Sequence, residues 1–271
     1  MPSLRMLLMI LVLSVFIVPQ HVALAQSDPF DLDDRASRAV QPVDSLTSAF
    51  FIARHTDANG EKSIELLGSL IIWFLLTLSA LSIGLIGMMS LTNQRKSIVP
   101  QGVVEAVRHL MNGGNYREAM DLTGRDESFF SQVLHAGLRE ASHGFSAVIR
   151  SLEQTADELT TRRLRRIEYL NILGQVSPMI GLFGTVYGMI LAFQAISAGG
   201  GDADPVQLAG GIGTALTTTF WGLVVAIPAL AGYAVIRNRI DELTTEATLT
   251  AEEMLNQFRP RAKATASLKA E

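Results

Sequence analysis

The 271-residue chain contains no cysteine, which excludes disulfides, thiolate nucleophiles and cysteine-based metal sites. Its five histidines, His21, His55, His109, His135 and His143, are scattered without metal-ligand spacing. No Walker loop, serine elbow or dinucleotide fingerprint is present, and Asn112-Gly113-Gly114 and Gly199-Gly200-Gly201 read as turns. Neither a catalytic constellation nor a cofactor or metal site is expected, and the chain is not expected to be an enzyme. Charged residues make up only 18%, with 22 Lys plus Arg against 26 Asp plus Glu, so a generally basic nucleic-acid binder is excluded.

Apolar residues make up 48% of the chain, and the mean hydropathy is +0.29. They are bunched into three stretches without a single Asp, Glu, Lys, Arg or His, at residues 66–91, 169–196 and 212–236. A bilayer core about 30 Å thick needs roughly 20 helical residues to cross it. The expectation is an all-α, polytopic membrane protein with three transmembrane helices.

The amino terminus fits a secretory signal. Arg5 precedes an apolar run at 6–18, and Ala23-Leu24-Ala25 supplies the small-x-small pattern before a cleavage point. Residues 1–25 are therefore expected to be a signal peptide; an uncleaved anchor, giving four spans, is the alternative. Residues 26–65 form an acidic periplasmic segment, beginning with Asp28, Asp31, Asp33 and Asp34. In it, Leu46, Ala49, Phe50 and Ala53 recur at helical spacing and predict an amphipathic helix over 44–55.

Charge sets the orientation. The 77-residue loop 92–168 carries 11 Lys plus Arg, and the tail 237–271 carries 6. The Gly-rich loop 197–211 has Asp202 and Asp204 and no basic residue. Basic residues near span ends prefer the cytoplasmic side. The large loop and the tail are therefore cytoplasmic and the short loop periplasmic, which agrees with an external mature amino terminus. Within 92–168 the pattern predicts helices at 103–111, 116–122 and 128–141. A further helix runs from 146 into the second span without a Gly or Pro before Gly174. At 1.5 Å per residue that helix would be about 75 Å long, half of it a cytoplasmic extension. The cluster Arg162, Arg163, Arg165, Arg166 stands where it enters the membrane, read as an orientation signal and headgroup contact.

The second span carries Gly174, Ser177, Gly181, Gly184 and Gly188 on one helix face, and the third carries Ala215, Thr219, Gly222, Ala226 and Ala229. Small residues let helix backbones approach closely in lipid. Pro178 and Pro228 each remove a backbone donor and permit a kink. Hydroxyls cluster at Thr214, Thr217, Thr218 and Thr219, with Thr185 in the second span. Threonine in a membrane helix often bonds its own preceding carbonyl. Four in six residues, opposite another in a Gly-rich span, instead suggest a polar face. A proton-relay span normally contains an ionisable residue. These spans contain none, so the face would serve an acid brought by another polypeptide.

Gly181-Leu-Phe-Gly-Thr-Val-Tyr-Gly188, preceded by Pro178, closely resembles the signature of the ExbB/TolQ/MotA stator family, as does Gly222-Leu-Val-Val-Ala-Ile-Pro-Ala229. The spacing of the two blocks, the large loop and the three-span plan also match, over about residues 66–242. The resemblance implies a homo-oligomer, a pentamer, around a dimer of a smaller ExbD/TolR/MotB-type partner. That partner's single span carries a proton-binding Asp. It further implies an inner-membrane motor coupling the proton motive force to a TonB-type protein, to Tol–Pal or to a flagellar rotor. By motif match, Thr185 and Thr219 fall on the family's pore-lining threonines, with Thr214 and Thr218 beside them. Pro178 and Pro228 fall on its span prolines, and Gly181, Gly184, Gly188 and Gly222 on its packing glycines. Most ExbB and TolQ members have a glutamate where this chain has Thr214, and Thr219-Phe220-Trp221-Gly222 resembles the flagellar branch. The signal peptide favours an ExbB-like subunit. A TolQ-like or MotA-like subunit, a passive scaffold and a stand-alone channel are the alternatives.

Overall fold

The computed structural model describes residues 54–56, 62–64, 66–198 and 205–259. The expected signal peptide and most of the expected helix over 44–55 lie outside them. Arg54 and His55, at the end of that helix pattern, are instead in a short strand, β1 (Arg54–Thr56), paired antiparallel with β2 (Lys62–Ile64). Everything else of regular structure among the described residues is helical. In chain order the helices are α1 (Leu66–Thr92), α2 (Arg95–Ile98), α3 (Gln101–Asn112), α4 (Tyr116–Arg125), α5 (Phe129–Arg139), α6 (Phe145–Ala198) and α7 (Pro205–Leu255).

Three of these helices, α1, α6 and α7, are long and apolar enough to cross a membrane. Helix is the form such segments must take, because hydrocarbon offers no partner to an unpaired N–H or C=O. Hydroxyls obey the same constraint: Thr77 donates to the Trp73 carbonyl at 2.9 Å and Thr92 to that of Met88 at 2.9 Å. α7 opens at Pro205, inside the segment expected as a loop to 211. Proline suits a first helical position, where its missing N–H would have no partner anyway. α7 also runs to Leu255, well past the expected end of the third span at 236.

The chain forms two compact units. Among the described residues the first comprises 54–56, 62–64, 66–84, 171–198 and 205–231, and so holds the apolar parts of α1, α6 and α7. Ile71 and Leu75 of α1 are buried with Val225 of α7, and Leu78, Ile180 and Trp221 pack against them. Only 28% of each apolar window is buried, so most of its surface needs lipid or a neighbouring protein.

The second unit comprises residues 85–170 and 232–259 of those described. It contains α2 to α5 with the amino-terminal part of α6 and the carboxy-terminal part of α7. Phe129, Phe130 and Leu134 of α5 are fully buried, together with Leu152 of α6, Leu255 of α7 and Val107 of α3. Such a core is that of a water-soluble helical domain, each helix turning one apolar stripe inward. Turns punctuate it where glycine supplies positive φ, at Gly114 (φ 76°) and Gly144 (φ 93°). Ser128 caps α5, its Oγ accepting the Ser131 N–H at 3.3 Å and donating to Asp126. Arg163, second of the four clustered arginines, donates to the Asn93 side-chain oxygen at 3.2 Å. Its guanidinium carbon lies 5.9 Å from the Phe129 ring centre. Arg162 pairs with Glu158 one turn away, at 2.7 Å.

Candidate functional site

The small residues meet where α6 and α7 run side by side in the first unit. Gly174, Ser177, Gly181, Gly184 and Gly188 of α6 are all buried, as are Ala215, Gly222, Ala226 and Ala229 of α7. The approach leaves no room for a side chain. A Cβ placed on Gly181 would lie 3.0 Å from the Thr218 carbonyl oxygen and 3.3 Å from the Gly222 Cα. On Gly188 it would lie 2.6 Å from the Gly211 carbonyl oxygen, and on Gly222 2.9 Å from that of Ser177. On Gly184 it would meet the Thr218 Cβ at 2.5 Å. Backbone-to-backbone contact of this kind is how helices associate in lipid, where dispersion replaces the hydrophobic effect. Both helices continue through their prolines, Pro178 and Pro228, each half-buried.

The four expected site threonines divide into two kinds. Thr218 is fully buried against the Gly184 backbone. Its single hydroxyl hydrogen can reach the carbonyls of Ala215 at 3.0 Å, Thr214 at 3.1 Å or Gly181 at 3.4 Å. Thr214, one turn earlier, is buried too, at 7% exposure. Thr219 is half-buried and reaches across to the Gly181 carbonyl at 3.4 Å. Thr185 is also half-buried and donates to the Leu182 carbonyl of its own helix at 2.6 Å. The Gly181 carbonyl thus gathers Thr218 and Thr219, while Thr185 bonds within its own helix. In one copy of the chain, Thr185 and Thr219 are the accessible hydroxyls and Thr214 and Thr218 stand behind them.

No Asp, Glu, Lys, Arg or His lies in residues 66–84, 171–198 or 205–231. A hydroxyl can solvate a charge or hand on a hydrogen bond, yet it does not titrate near neutral pH. This helix pair can therefore lower the cost of a charge in the membrane without carrying one. Two further polar residues of α6 sit in the same unit: Gln175, exposed, donates to the Asn171 side-chain oxygen at 2.7 Å. Sequence inspection passed over them, although two amides one turn apart in an uncharged stretch are a readable signal.

Residues 125–248 match the MotA/TolQ/ExbB proton channel family. The match covers α5, all of α6 and α7 as far as Thr248. The chain is 34% identical over 136 residues to the biopolymer transport protein exbB1 of Vibrio cholerae, covering 47% of this chain and 58% of that protein. It is 37% identical over 95 residues to the ExbB protein of Neisseria gonorrhoeae, covering 34% of this chain and 43% of that protein. It is 42% identical over 78 residues to the Tol-Pal system protein TolQ of Haemophilus influenzae, covering 29% and 34%. The chain thus spans between about a third and three fifths of the length of these relatives. The family match and the three apolar helices together point to a membrane protein.

Proposed function

We propose that the chain is an ExbB-like subunit of an inner-membrane motor that couples the proton motive force to TonB-dependent outer-membrane transport. The observation that carries this reading is the neutral, hydroxyl-bearing, glycine-packed pair of α6 and α7. Its membrane part, residues 171–198 and 205–231, lies within the segment that matches a proton channel family and holds no titratable acid of its own. The acid would come from an ExbD/TolR-type single-span partner with an intramembrane Asp. Copies of this chain, five by family analogy, would surround a dimer of that partner. Positive charge on 92–168 and on the tail supports a cytoplasmic second unit, a periplasmic connection between α6 and α7 and a periplasmic mature amino terminus.

The energetics are consistent with such a role. A carboxylate in hydrocarbon neutralises by taking a proton unless polar groups solvate it. Each threonine hydroxyl contact contributes about 1 kcal/mol, as interhelical hydrogen bonds in membranes do. One elementary charge crossing 100 mV releases about 2.3 kcal/mol. Because these are comparable, hydroxyls at Thr185 and Thr219 can bias where on a ring the partner's acid is charged or protonated. Thr185→Val and Thr219→Val test this. Normal membrane assembly with lost energised uptake is expected, and wild-type uptake in both variants would refute the role.

A TolQ-like subunit serving a Tol–Pal system is the second reading. The 42% identity to a TolQ protein across 78 residues favours it. Uptake assays with TonB-type and Tol-type partners distinguish the two.

A further inference from the structure

Within the second unit, α6 and α7 build one groove together. Thr161, Leu164, Arg165 and Glu168 line it from α6, and Tyr233 and Arg237 from α7. Steps of three and four put each set on a single helix face. The groove holds about 200 Å³, several times the roughly 30 Å³ that one water takes in the liquid. Its α7 wall is held in place by its own bonds. Arg237 donates to the Tyr233 hydroxyl at 2.9 Å, with its guanidinium carbon 5.9 Å from the centre of that ring. The same hydroxyl donates to Glu168 at 3.3 Å. Arg237 spends one nitrogen on Tyr233 and keeps further N–H groups for a ligand. Arg165 is exposed, and neither its guanidinium nor the Thr161 hydroxyl has a partner among the described residues.

The sequence places this groove at the edge of the membrane. Tyr233 lies near the end of the uncharged stretch 212–236, and the exposed Tyr169 opens the stretch 169–196. Tyrosine, apolar at one end and polar at the other, collects at the headgroup level. Away from the spans the charge reverses: Glu153, Asp157 and Glu158 of α6 and Asp241 and Glu242 of α7 are exposed. A soluble anion coming from that side meets this acidic belt first, whereas a lipid arrives along the membrane. Two guanidiniums against one carboxylate leave the groove with one uncompensated positive charge. A phosphodiester with a single negative charge matches it, and a zwitterionic headgroup does not. We propose that this groove binds the phosphate of one anionic phospholipid, held between Arg165 and Arg237. Such a headgroup ties α6 to α7 just beyond the end of the membrane. The proposal uses the reading of α6 and α7 as membrane helices and goes beyond the stator role. By the charge rule, the lipid belongs to the cytoplasmic leaflet.

Native mass spectrometry of the full chain, purified in mild detergent and titrated with short-chain phosphatidylglycerol or phosphatidylcholine, tests this. Phosphatidylglycerol is expected to bind at one lipid per chain, on the order of tenfold more tightly than phosphatidylcholine. Equal affinity for the two lipids overturns the proposal. The double variant Arg165→Gln with Arg237→Gln is expected to weaken phosphatidylglycerol on the order of thirtyfold, from about fivefold for each arginine. Arg162→Gln with Arg166→Gln removes the same charge from the same stretch of α6 outside the groove, and is expected to weaken it less than about threefold. Equal losses in the two double variants would mean general attraction to a basic surface, and would overturn the proposal. Inorganic phosphate and glycerol phosphate are expected not to displace the lipid; displacement by either would make this a soluble-phosphate site and overturn the lipid assignment. Lipid binding is read without a partner protein or energised uptake, so it can fail while the threonine variants behave as expected, and the reverse.

Discussion

Replacing Gly184 by alanine should separate α6 from α7, and Gly213→Ala supplies the comparison. Both glycines lie inside helices of the first unit. The built Cβ at Gly184 meets the Thr218 Cβ at 2.5 Å, whereas at Gly213 it meets nothing within 4 Å. Carbon atoms prefer separations of about 3.5–4.0 Å, so the Gly184 variant needs about 1 Å of movement. Thr218 cannot yield by rotating alone, because its Cβ is fixed to the backbone. Alanine improves helix propensity by about 1 kcal/mol at either position. Overpacking costs about 1–3 kcal/mol. Gly213→Ala is therefore expected to be neutral or to stabilise by up to about 1 kcal/mol, and Gly184→Ala to lose up to about 2 kcal/mol net. The assay is reversible unfolding of the purified protein in mixed micelles by SDS titration, followed by far-ultraviolet circular dichroism and tryptophan fluorescence. Trp221 lies one turn beyond Thr218 on the same helix and reports the contact. Equal stability of the two variants would show that the helices do not pack as closely as described.

Two further predictions concern the second unit. Phe129→Ala, at a fully buried position beside Arg163, should destabilise by about 3–5 kcal/mol, and Phe129→Leu by much less; thermal denaturation of the detergent-solubilised protein measures both, and equal losses would mean the ring's volume is not what the core uses. Ser128→Ala removes the cap of α5 and should cost about 1 kcal/mol, read as roughly fivefold faster hydrogen exchange at amides 129–131; unchanged exchange would mean that Asp126, which also accepts from Ser131 Oγ at 2.5 Å, holds the turn alone.

The membrane part of the fold was legible because its physics is one-dimensional. A stretch long enough to cross hydrocarbon and free of charge is a helix, and the steps of three and four between small residues mark the face it buries. Gly181, Gly184, Gly188 and Gly222 meet the facing helix as that spacing implies. Helix ends were less legible. Gly124 falls inside α4, which runs to Arg125, although it is exposed; a Cβ built on it would lie 3.2 Å from the His135 ring. The helical tail beyond 236 was missed although its signal was present: Ile240, Leu243, Ala247, Ala251 and Leu255 recur at steps of three and four and are buried. Their alternation with acidic residues and threonines hid an apolar stripe behind a polar average. The threonine cluster shows a different limit. Spacing placed four hydroxyls near one another, but only packing could show that Thr218 and Thr214 are buried while Thr185 and Thr219 are half-exposed. Which face of a helix remains open depends on its neighbours, and no local pattern encodes that.

The central claim is that this chain provides a neutral polar wall and that the titrating acid belongs to another polypeptide. Proton flux into proteoliposomes under an imposed membrane potential measures it most directly, with the chain reconstituted alone, with its single-span partner, and with the partner's intramembrane Asp changed to Asn. Flux only with the intact partner is the predicted result. Equal flux from the chain alone, or from the Asn-bearing complex, would contradict it.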